Sequence, residues 1–121
     1  MISKTAALND TVVAVRTGAT LLRSVTMRQP TNDAPQLYVQ FWNTAGASVV
    51  IGTTAPVMVL PVPAGSTKVE SASLKVNFEG KHGGRLFSTA LSYACSTTHD
   101  GLTAPDVGDE PEVTVDYERV G

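Results

Sequence analysis

The sequence predicts an all-β protein: a single-domain antiparallel β-sandwich, jelly-roll-like, with seven or eight strands. Three observations carry this expectation. Charged residues make up only 17% of the chain, against a norm of about 25%, and Thr, Ser and Val fill the difference. Such residues suit a pleated, half-buried surface. Short segments alternate apolar and polar side chains with a period of two, and Gly, Pro and Asn signals punctuate them. No stretch carries a convincing helical period, and no internal repeat is present. The uneven connection lengths favour a sandwich or jelly roll over an up-and-down barrel. A chain of 121 residues fits one domain.

Residues 1–10 lack clear periodicity and read as a flexible N-terminal arm or a short leading strand. The domain division takes 1–10 as the arm and 11–121 as the sandwich. Thr11–Arg16 is β-branched and predicts a strand, with Thr17-Gly18-Ala19 as a turn. Thr20–Arg28 follows. Leu21, Val25 and Met27 fall on one side with Arg23, and the alternation is imperfect. Gln29–Pro35 is a loop: its two prolines remove donors, and Asn32-Asp33 can bond their own backbone.

Leu37–Trp42 alternates cleanly, with Leu37, Val39 and Phe41 expected in the core. Tyr38, Gln40 and Trp42 form the other face, which either packs under a loop or meets a partner. Asn43–Gly46 is turn chemistry, with Gly46 free to take positive φ. Pro56–Val62 is the next strand. Pro61 removes a ladder donor, which predicts an edge position or an end near Leu60. Thr67–Phe78 reads as one long strand or as two separated by a bulge. Glu79–Arg85 is a glycine-rich loop. Leu86–Ser96 reads as one strand, with Phe87, Leu91, Tyr93 and Cys95 on one face. Thr97–Glu110 is a long loop, and Glu112–Arg119 closes the chain with Val113, Val115 and Tyr117 inward.

The net charge is −2, and the basic residues are scattered rather than gathered in a run, which argues against a nucleic-acid partner. The single cysteine, Cys95, excludes an internal disulfide and reads as a buried structural thiol. The N-terminus has no apolar run resembling a signal peptide, and no segment approaches membrane-spanning length. The expectation is therefore a soluble protein made in a cytoplasm, with no membrane partner.

No catalytic constellation emerges, and the expectation is a non-enzyme with no cofactor and no metal. His82 and His99 sit in separate loops without the spacing of a metal site. Seven of the eleven acidic residues fall between Asp100 and Glu118. Asp106, Asp109 and Glu110 match no EF-hand spacing and read as a solvated loop. No serine stands in a nucleophile-elbow pattern. Lys81-His82-Gly83-Gly84 lacks the strand-to-helix context of a phosphate cradle.

Several segments together resemble small bacteriophage structural proteins of the β-sandwich type. They are Tyr38–Gly46 (YVQFWNTAG), Ile51–Gly65 (IGTTAPVMVLPVPAG), Leu74–Phe78, Gly83–Gly101 and Val113–Arg119. One departure is Ala90-Leu91 after Phe87-Ser88-Thr89, where such sequences carry Gly and Ile. The resemblance implies a virion component made in the host cytoplasm: a capsid decoration (cement) protein on the capsid exterior. Its implied partner is the major capsid protein, and its implied state is a homotrimer. Contacts are then expected from the N-terminal arm, from Asn32 and Asp33, from Lys81, His82 and Arg85, and from the Tyr38 and Trp42 face. A neck or tail structural role, a carbohydrate- or receptor-binding module of a fibre, and a small hydrolase are the alternatives. The carbohydrate reading requires Tyr38 and Trp42 to be exposed for stacking. The decoration reading places them buried or at a subunit interface.

Overall fold

Alternating side chains leave each strand with one apolar face, and two sheets bury those faces against each other. A computed structural model describes residues 1–29, 35–63, 72–78, 83–99, 101 and 103–120. Nine strands are formed among them: β1 (Ile2–Thr5), β2 (Val13–Thr17), β3 (Thr20–Gln29), β4 (Tyr38–Trp42), β5 (Met58–Pro61), β6 (Ala72–Asn77), β7 (Arg85–Phe87), β8 (Ala90–Ser96) and β9 (Glu112–Arg119). One sheet has the order β1-β9-β3-β6, with β7 also paired to β3. The other has the order β2-β8-β4-β5. Every pairing is antiparallel.

β6 and β7 are two halves of one interrupted strand. Asn77 pairs with Ser24, Phe78 N–H donates to the Arg23 carbonyl at 3.0 Å, and Arg85 pairs with Leu22. Gly84 permits the re-entry, since a Cβ there would stand 2.6 Å from the Leu22 carbonyl oxygen. Counted as one, these halves leave eight strands in four nested pairs: β1 with β9, β2 with β8, β3 with β6–β7, and β4 with β5. A single long hairpin with its tip between β4 and β5 has rolled up, which is the jelly-roll connectivity.

The core contains Leu8, Leu22, Val25, Met27, Leu37, Val39, Phe41, Val62, Phe87, Leu91, Tyr93, Cys95, Val113 and Val115. Each fully buried side chain of Leu or Phe size contributes about 1.5–3 kcal/mol. Leu37, Val39 and Phe41 are in the core as their alternation predicts. Pro61 lies on β5, an edge strand, as its missing donor requires.

Of the two readings of residues 1–10, arm or leading strand, the structure shows the strand: Ile2–Thr5 pairs along the free edge of β9, and Leu8 is buried, its N–H bonded to the Pro111 carbonyl. Three sequence expectations are corrected. In β3 a bulge at Arg23 shifts the register between Leu22 and Ser24. Leu22 therefore joins Val25 and Met27 in the core in place of Leu21. Leu86–Ser96 is not one strand, because it crosses from one sheet to the other at Ser88-Thr89. The Asn43 side chain holds that crossing, accepting from Thr89 N–H at 2.8 Å and Ala90 N–H at 3.2 Å. Gly46 does not take positive φ. It starts a 3-10 turn (Gly46–Ser48) pressed on β2, where a Cβ would stand 2.6 Å from Ala14 Cβ.

Candidate functional surface

The outer faces of the two sheets differ. On the β2-β8-β4-β5 sheet, two loops cover the outward side chains. Residues 43–57 pass over Trp42, which is 0% exposed, and its indole N–H donates to the Thr54 carbonyl at 2.8 Å. The same loop bonds Ser92, whose hydroxyl donates to the Thr44 carbonyl. Beside it, Gln40 Nε2 donates to Ser96 Oγ and to the Gly101 carbonyl, each at 2.9 Å, joining β4 to the loop after β8. Small residues on β8 make this close cover feasible: Ala90, Ser92, Ala94 and Ser96 are all buried.

The expected contact residues meet different fates. Trp42 is enclosed by its own chain, so its assignment as a partner contact is corrected: the indole anchors a loop. Tyr38 is half-buried and meets the exposed His99 edge-on, with ring centroids 5.7 Å apart. Arg85 is exposed at the start of β7, and its guanidinium donates to the Val57 carbonyl at 3.0 Å. Asn32, Asp33, Lys81 and His82 lie outside the described residues. Tyr38 and Trp42 share a strand face, whereas Arg85 belongs to the other sheet and reaches the β4–β5 loop through Val57.

Cys95 is buried in the core, and desolvation pushes its thiol up to about 12. A group held protonated this far above neutrality is a poor nucleophile. In the acidic loop, Asp109 N–H donates to the Asp106 carbonyl and Gly108 N–H to the Glu110 carboxylate, forming a tight turn. Among the described residues, no group of three His, Cys, Asp or Glu side chains comes together to hold a metal ion, and no helix is long and apolar enough to cross a membrane.

The outer face of the other sheet is laced by ion pairs. Lys4 and Arg28 flank Glu112 at 3.5 and 3.8 Å, and Arg23 meets Glu118 at 3.1 Å. Register places Asp116, Ser24 and Asn77 in one row across β9, β3 and β6. Ser24 is short, and the longer Arg23 and Lys75 stand beside it. The result is a depression of about 560 Å³ lined by Arg23, Ser24, Lys75, Asn77, Phe78, Gly83 and Asp116. A smaller one of about 360 Å³ lies between Pro56–Val59 and His99. Sequence reading missed the larger depression. Its residues come from segments distant in sequence, around Ser24, Asn77 and Asp116, joined only by strand register. The one local signal was the broken alternation around Arg23. No family model, no curated protein and no solved structure matches this chain.

Proposed function

We propose that this protein is a non-enzymatic bacteriophage virion structural protein, a capsid decoration protein. In this reading it binds the outside of the major capsid shell as a homotrimer and stabilises it. The observation that carries the reading is the one-sided sandwich. One outer sheet face is roofed by the chain's own loops, while among the described residues the other receives no such roof and carries interleaved charges. A rigid jelly roll with one adhesive face suits a clamp, which needs complementary contact and no chemistry. Jelly rolls recur in viral capsid domains. The resemblance borne by Tyr38–Gly46 and Ile51–Gly65 points the same way, and the described residues among them include β4 and β5. Each contact can be weak, since a closed oligomer on a repeating shell multiplies it.

The carbohydrate-stacking alternative on Trp42 and Tyr38 needs an exposed indole, and Trp42 is enclosed. The test is addition of the purified chain to capsids lacking it. Stoichiometric, saturable co-sedimentation with a raised capsid melting temperature is expected. Absence of saturable binding overturns the proposal.

A further inference from the structure

We propose that the depression over Ser24 is a saccharide site that takes a sugar ring bearing a carboxylate. This assignment goes beyond the capsid role and does not depend on it. The floor is the row Asp116–Ser24–Asn77, three strands wide. Adjacent strands lie about 4.8 Å apart, so the outer members of the row stand about 10 Å apart at the backbone. Carboxylate, hydroxyl and amide over that width match a ligand with polar groups all round its rim. A pyranose has this form. A free amino acid holds its two charged groups too close together to reach both ends of the row.

Charge decides between a neutral and an acidic sugar. Arg23 is paired with Glu118 at 3.1 Å, and Asp116 lies 3.8 Å from the N-terminal ammonium. Lys75 is exposed and has no ion pair among the described residues. Among the described residues, the depression therefore sets the positive charge of Lys75, without an ion-pair partner, beside its hydroxyl-binding floor. Arg23 keeps further donors free, since a guanidinium carries five and one carboxylate does not use them all. A carboxylate between Lys75 and Arg23 leaves the ring hydroxyls over Asp116, Ser24 and Asn77. The volume of about 560 Å³ accommodates a ring and a neighbouring residue.

The experiment is a titration of the ¹⁵N-labelled full chain with methyl β-D-glucuronide and with N-acetylneuraminic acid. Methyl β-D-glucoside, glutamate and inorganic phosphate serve as comparison probes. Saturable shifts are expected at the amides of Ser24, Lys75, Asn77 and Asp116, with a Kd of about 1 mM for an acidic ring on an open site. The exposed side chain of Lys75 makes Lys75→Met compatible with the fold. That variant should lose about tenfold in affinity for the acidic sugars and keep its spectrum elsewhere. No saturable shift at these amides with either acidic sugar overturns the site. Equal binding of the neutral glucoside overturns the carboxylate, and equal binding of phosphate or glutamate overturns the sugar. Capsid addition is measured separately, so failure here leaves that reading standing, and the reverse also holds.

Discussion

Tyr93 is fully enclosed on β8, yet its hydroxyl lies 2.8 Å from Thr5 Oγ1 and 3.4 Å from Ser3 Oγ on β1. It ties the leading strand across the sandwich to the opposite sheet. Tyr93→Phe keeps the ring and removes the tie. A loss of about 1 kcal/mol in urea unfolding is expected, with faster amide exchange in β1. Unchanged exchange at Lys4 and Thr5 would count against the tie. Cys95 bears on pH. Its folded value of about 12 lies above the ordinary 9.0, because burial penalises the thiolate. The unfolded chain therefore loses its proton first as pH rises. The contribution is complete below about pH 9 and declines toward pH 12. Comparison with Cys95→Ala isolates it: the wild type should lose more stability over that window than the variant. The native thiol should also resist a thiol reagent at mildly alkaline pH and react once unfolded.

The crossing from β7 to β8 rests on one side chain. Asn43 accepts from two consecutive amides at the β7–β8 crossing, and its own amide donates to Ser88 Oγ at 3.1 Å. Asn43→Ala leaves Thr89 and Ala90 N–H without this acceptor, and Ala90 is buried. The expected cost is about 1–3 kcal/mol in thermal or chemical unfolding, with Asn43→Asp, which keeps an acceptor, less affected. Equal losses for the two variants would refute the capping role. Gly46→Ala places a methyl group against Ala14 and should cost about 1–3 kcal/mol through displacement of β2. These elements also mark where the sequence pattern is silent. Phe87 and Leu91 both point into the core, so alternation continues in phase through Ser88-Thr89 and hides the change of sheet. A bulge is partly visible: the broken pattern around Arg23 signals it without saying which leucine turns inward.

At the scale of the whole molecule, nested pairing brings together residues far apart in sequence, from Ile2 with Asp116 inward to Phe41 with Met58. Loop closure must precede most of the contacts that reward it. Refolding is therefore expected in the millisecond-to-second range, followed by the fluorescence of Trp42, the sole tryptophan. Complete refolding within a millisecond would contradict a folding barrier dominated by long-range pairing. The asymmetry of the two faces belongs to this scale as well. It arises because the long β4–β5 and β8–β9 loops fold over one sheet, while the other sheet receives no comparable cover among the described residues.

The chain by itself determines that it is all-β, that Leu37, Val39 and Phe41 face the core, and that Pro61 stands at an edge or at a strand end. Period-two alternation and the missing proline donor are local properties, written at each position. The tertiary structure alone decides that Trp42 anchors a loop, that the first residues form an edge strand, and that Asp116, Ser24 and Asn77 share a row. Those facts depend on register between distant strands and on which loop covers which face. Register is set by the packing of the complete core, which no local pattern contains.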